Sequence, residues 1–172
     1  MRVRRGRLVA ALILVWLIAG CASRGPVLSN SLDRPGVPAN VDLVDVPFFP
    51  QEEYQCGPAA LATALSYSGL ALTPDELAPR VYLPGKEGSL QVEMVAAVRR
   101  YDRIPYLIQP TLPALLAELQ ANRPVIVFEN LGIAALPVWH FAVVVGYSKD
   151  DDSLLLRSGR HEPRPARSTR CR

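Results

Sequence analysis

An α+β fold in two layers is what the sequence predicts, with N-terminal helices packed on a C-terminal antiparallel sheet. Two observations carry this. Between residues 56 and 122 apolar residues recur at helical spacing in four separate stretches; after residue 124 the pattern changes to β-rich runs, "VIVFEN", "HFAVVVGYS" and "LLLRS". "KDDD" between the last two runs supplies a hairpin turn. With 172 residues, 49% of them hydrophobic and 20% charged, the chain suits one globular core rather than two domains or a disordered polymer.

The first 20 residues stand apart. "MRVRRGR" is followed by "LVAALILVWLIAG", an uncharged run shorter than the roughly 20 residues that span a bilayer as a helix. Residues 1–20 therefore read as a signal peptide. Ile18-Ala19-Gly20-Cys21 resembles the bacterial lipobox, in which cleavage precedes a cysteine that becomes the lipidated first residue. The expectation is a lipid-anchored protein of the bacterial cell envelope, held by Cys21 to a membrane and facing the periplasm or the exterior. Residues 21–41, rich in Pro, Ser, Asn and Gly, read as a flexible tether.

The domain is expected over residues 42–159. "VDLVDVPFF" alternates well enough for a short strand that Pro47 ends. Pro58 suits a first helical turn, Leu61 and Leu65 lie one turn apart, and Gly69 fits a left-handed stop, so Cys56 falls at a helix N-terminus. Thr73 and Glu76 have the spacing of a capping box. Ser89 is expected to cap the next helix, with Leu90, Met94, Ala97 and Tyr101 along one face. "IPYLI" reads as a strand, and "TLPALLAELQAN" as a helix turning Leu112, Leu115, Leu116 and Leu119 inward. Residues 160–172, "RHEPRPARSTRCR", show no apolar period and read as a disordered Arg-rich tail.

Charge excludes one class of partner. The net charge of +3 comes from the two ends: without the four arginines of residues 1–20 and the Arg-rich tail, residues 21–159 sum to −5. No basic stripe interleaved with aromatics remains, and nucleic-acid binding has no support.

Candidate chemistry centres on "PQEEYQCGPAALATALSYSG", residues 50–69. A thiolate is favoured at a helix N-terminus and beside a histidine cation. The chain holds two histidines; His161 lies in the tail, which leaves His140, at the start of "HFAVVVGY", as the candidate within the domain. From the residues alone Cys56 fits a small buried hydrophobe as well as a nucleophile, and Gln51 fits a solvated loop as well as an oxyanion donor. Cys171 could pair with Cys56 in an oxidising envelope only by ordering a tail at an entropic cost. Cys56, His140 and Cys171 lack the paired spacing of a metal site, and no cofactor is implied.

Residues 44–159 resemble the papain-like cysteine peptidases of family thirty-nine, which include the double-glycine leader peptidases of bacteriocin exporters and stand-alone envelope proteins. "PFFPQEEYQCGPAALATAL", "GSLQVEMVAAVRRY" and "RPVIVFEN…WHFAVVVGY" carry the resemblance. It implies a papain-like fold, a peptide or protein substrate, Cys56 as nucleophile, His140 as general base and then acid, and Gln51 as oxyanion donor. Two departures accompany it. The family's orienting aspartate corresponds to Ser158 in "LLLRSG", and the family continues with further core structure where this chain turns into its Arg-rich tail, so the domain reads as incomplete. Asp150, Asp151 and Asp152 are expected in the turn, too far from His140 to replace that aspartate. The implied function is an envelope-anchored cysteine peptidase or amide hydrolase. Its rivals are a degenerate domain of the same fold that binds peptides uncut, and a thiol acyltransferase working through the same thioester.

Overall fold

The computed structural model describes residues 27–51 and 55–159. Residues 1–20, read as a signal peptide, Cys21 and the Arg-rich residues 160–172, with His161 and Cys171, lie outside the described residues. In chain order the elements are α1 (Val27–Leu32), β1 (Asn40–Asp42), α2 (Cys56–Tyr67), α3 (Pro74–Val81), β2 (Tyr82–Leu83), β3 (Gly88–Ser89), α4 (Gln91–Arg100), α5 (Leu112–Gln120), β4 (Val125–Asn130), β5 (Trp139–Ser148) and β6 (Ser153–Arg157). Helices thus precede an antiparallel sheet, in the α+β class. Among the described residues no helix is long and apolar enough to cross a membrane.

β5 organises the sheet. It pairs with β4 from Asn130↔Trp139 to Val125↔Val144, with β6 from Val143↔Arg157 to Ser148↔Ser153, and with β1 over its last three residues, from Asp42↔Gly146 to Asn40↔Ser148. A strand has two edges, so β1 continues along the edge that β4 leaves. A register shift between Val144 and Gly146 marks the change of partner. Gly146 is required there, because a Cβ would stand 2.1 Å from the carbonyl oxygen of Val41. Every residue from Phe141 to Tyr147 is buried, which means that both faces of β5 are covered.

The helices form as local chemistry dictates. Thr73 Oγ1 accepts from Glu76 N while the Glu76 carboxylate accepts from Thr73 N at 2.8 Å, closing the capping box of α3. Thr111 Oγ1 caps α5 by accepting from Ala114 N, and Leu115, Leu116 and Leu119 turn inward. α2 is short-chained and apolar, with Ala59, Ala60, Leu61 and Ala62 at 1% exposure or less, so it lies close against β5.

Four expectations are corrected. The stretch read as a tether carries α1 from Val27: Leu28 and Leu32 are buried, and α1 is held by Asp152 Oδ1 accepting from Leu28 N at 2.9 Å. Two leucines four residues apart bury one face of a helix too short to register in composition. The first strand stops at Asp42, and a turn follows in which Val46 N donates to Leu43 O, leaving Val44 exposed. "IPYLI" is no strand; it has the propensity but no ladder partner, and Ile104 is 89% exposed. Ser89 belongs to β3, and Leu90 is the residue before α4.

Candidate active site

Cys56 opens α2. Gln55 precedes it with no side-chain capping bond, and Pro58 at the third helical position has no N–H to leave unpaired. The thiol is partly buried against the core cluster. Gly57 explains how close the first turn sits to the β2–β3 hairpin, since an added Cβ would lie 2.2 Å from Ser89 Oγ and 2.4 Å from Ser89 Cβ. Ser89 Oγ is itself buried without a partner among the described residues.

His140 is the second residue of β5, where the strand leaves the protected core, and its ring is partly buried. Its Nε2 shares a 2.7 Å hydrogen bond with Ser158 Oγ, just beyond the end of β6. Burial pushes its pKa below the ordinary 6.5, which favours the neutral ring. A neutral imidazole whose Nε2 is engaged by a hydroxyl keeps Nδ1 for a second task.

Gln51 ties these two residues in place. It is buried; its Nε2 donates to the carbonyl of Phe141 at 3.1 Å, its Oε1 accepts from Gly159 N at 2.9 Å, and its own backbone N–H donates to Gly159 O at 2.9 Å. Phe141 follows His140 and Gly159 follows Ser158, so one amide side chain fixes the spacing between the two strand ends that carry the pair. One amide N–H of Gln51 is spent on this clamp, and the second is free of it.

The structure therefore brings His140, Ser158 and Gln51 together at one end of β5. Cys56 starts the helix that packs on the same strand, and no hydrogen bond joins its thiol to the imidazole among the described residues. Glu52, Glu53 and Tyr54, between Gln51 and Gln55, lie outside the described residues. Asp151 and Asp152 sit at the opposite end, where Ser148 Oγ donates to Asp151 and α1 meets Asp152.

A model of the Peptidase_C39-like family matches residues 43–158, a span that covers most of the chain and holds Gln51, Cys56, His140 and Ser158. The chain belongs to the Peptidase_C39-like family. No curated protein and no solved structure matches it. The described domain is thus a cysteine-peptidase-like unit of α+β class.

Within this C39-like domain, sequence reasoning passed over Glu129. It pairs directly with His140 across β4 and β5, which puts both side chains on one face of the sheet with Cβ atoms about 5 Å apart. Burial raises its pKa above the ordinary 4.5. The available signal was an acid inside a β-branched run, "VIVFEN". Among the described residues no cluster of three His, Cys, Asp or Glu side chains could hold a metal ion.

Proposed function

We propose that this protein is a lipid-anchored cysteine peptidase of the bacterial envelope, with Cys56 as nucleophile and His140 as its base. The observation that carries the reading is the His140–Ser158 hydrogen bond held inside the Gln51 clamp, in a chain of a peptidase family. Ser158 engages Nε2, so Nδ1 is the nitrogen that takes the proton of the thiol. The thiolate attacks the substrate carbonyl, and the electron pair moves to the oxygen to form a tetrahedral oxyanion. Donors for that oxyanion are the backbone N–H of Cys56 and the second N–H of Gln51. Collapse expels the amine, which receives the proton from His140; water, deprotonated by His140, then cleaves the thioester.

Ser158 supports orientation but brings no charge to the imidazolium, unlike a carboxylate at that place. That neutrality favours a second reading, a domain of the same fold that binds peptides without cutting them. An electrophilic thiol probe separates the two. A working nucleophile alkylates rapidly at pH 6, and His140→Ala slows the reaction; equal labelling of wild type and variant means an ordinary cysteine and a binding domain. If turnover is found, products formed with added amine distinguish hydrolysis from acyl transfer. Anchorage through a Cys21 thioether is tested by Cys21→Ser, which moves the chain from the detergent to the aqueous phase or leaves the precursor uncut. Unchanged partition of a chain that has lost residues 1–20 refutes it.

A further inference from the structure

The connection between β4 and β5 has no place in the catalytic reading. From Asn130 to Trp139 it contains no charged residue, and Leu131, Ile133, Leu136, Val138 and Trp139 are exposed, from 56% at Trp139 to 72% at Leu136. It is nevertheless a built structure. Asn130 Oδ1 accepts from Gly132 N at 2.9 Å and from Val138 N at 2.8 Å, Leu131 N donates to Val138 O at 2.8 Å, and Leu136 N donates to Ile133 O at 3.0 Å. Gly132 allows this closure, since a Cβ would lie 2.2 Å from Leu136 O. Trp139 stacks on Phe128 with ring centroids 4.9 Å apart, and Phe128 in turn meets Phe141 at 4.5 Å. The apolar surface continues through Phe128 to Ile104, Tyr106 and Leu107, which line one cavity of about 420 Å³ with it. A run of exposed apolar side chains held in an ordered loop marks a candidate interaction site.

We infer that this loop inserts into the interfacial layer of a lipid bilayer and seats the candidate active site at the membrane surface. The inference builds on the proposed anchorage at Cys21. Six residue steps separate Cys21 from Val27, a reach of about 20 Å at most. α1 is bound to the β5–β6 turn by Leu28 N, whereas the apolar loop lies at the other end of the ten-residue β5, about 30 Å away. A chain held that short at one end of β5, with its uncharged aliphatic loop at the other, meets the bilayer along its length rather than standing off it.

The chemistry of the occupant follows from charge. Residues 21–159 sum to −5, so charge does not draw this domain to an anionic surface. An uncharged aliphatic tip enters the acyl boundary without desolvating a charge, and a tryptophan at its base belongs at the headgroup level. His140 follows Trp139 directly, and the site would therefore take polypeptide substrates presented at the membrane surface.

The chain contains two tryptophans, Trp16 and Trp139, and removal of residues 1–20 ahead of the proposed Cys21 anchor leaves Trp139 as the sole reporter in the lipidated protein. The lipidated protein is reconstituted into phosphatidylcholine vesicles whose acyl chains are brominated near the headgroup. Trp139 emission is expected to fall roughly by half relative to unbrominated vesicles, as for a group inserted 5–10 Å deep. Ile133→Asp with Leu136→Asp is expected to abolish that quenching while flotation with the vesicles, which reads the Cys21 anchor, persists. Far-UV circular dichroism checks that the double variant is folded. Wild-type chain that floats without quenching overturns the inference and leaves the anchorage standing. Loss of flotation in Cys21→Ser, or retention of residues 1–20 in that variant, supports the anchorage on its own; flotation that persists with residues 1–20 removed refutes that reading whatever the quenching shows. Trp139 shielding from acrylamide that grows with protein concentration in the absence of lipid overturns the inference in favour of a second copy. A defect of the double variant on a soluble peptide, with bromine quenching intact, overturns it in favour of a substrate-binding wall.

Discussion

Gly57→Ala tests how tightly the first turn of α2 is seated. The new Cβ would stand 2.2 Å from Ser89 Oγ and 2.4 Å from Ser89 Cβ, so α2 and the β2–β3 hairpin must separate by about 1 Å to restore ordinary contact. Over-packing of this kind costs about 1–3 kcal/mol. Alanine recovers part of that through helix propensity, at most about 1 kcal/mol and less in a first turn. The net expectation is a loss of about 1–2 kcal/mol, or a Tm lowered by about 2–8 °C for a domain of this size. Urea unfolding of Gly57→Ala, Ser89→Gly and the double variant measures it. Ser89→Gly removes both clashing atoms and also a buried hydroxyl without a partner among the described residues, so the double variant should recover most of the loss. Because Cys56 is the preceding residue, Gly57→Ala should also slow alkylation of the thiol, and Ser89→Gly should restore it. A neutral Gly57→Ala, or a loss that Ser89→Gly does not rescue, would refute the contact as the reason for glycine.

Three further outcomes are expected. Ser158→Asp should raise turnover by at least about tenfold, measured as kcat on a peptide substrate, because a carboxylate both fixes the ring and stabilises its cation; removing such a carboxylate from a triad costs about 10⁴. Gln51→Leu should lower stability by about 2–4 kcal/mol in urea unfolding, because it strips partners from the Phe141 carbonyl and the Gly159 N–H, and it should weaken activity by loosening the His140–Ser158 spacing. The folded pKa of His140 is depressed by burial, so its contribution to stability is present above the ordinary value of 6.5 and is lost as pH falls through the folded value. Thermal melts should therefore show Tm falling below pH 6.5, and His140→Gln should flatten that part of the profile.

Much of the fold was legible because its signals are local. A capping box lies within four residues, so Thr73 and Glu76 announce α3 from sequence, and the leucines of α5 declare their buried face by spacing alone. The continuous β-branched run of β5 likewise shows that both of its faces are covered. Cys56 at a helix start was readable in the same way. Long-range partners decided what failed. Ile104 to Ile108 has strand propensity without a neighbour to bond, while α1 is held by a core and by Asp152, 124 residues away from Leu28. Ser89 has the chemistry of a cap, yet the close approach of Gly57 claims it for β3.

The same division runs through the candidate site. Sequence alone determined the candidate residue types and their order, a glutamine, a cysteine at a helix start, a remote histidine opening a core strand, and a serine after the next strand. Only the tertiary structure decided that Gln51 spends one N–H on Phe141, 90 residues away, and grips Gly159 with its oxygen, so that it holds the histidine and serine strands together. Only the strand register put Glu129 opposite His140. Helix and strand periodicities are read within a few residues, whereas which donor meets which acceptor across the chain depends on how the sheet pairs and where the loops cross it, and no local pattern encodes that.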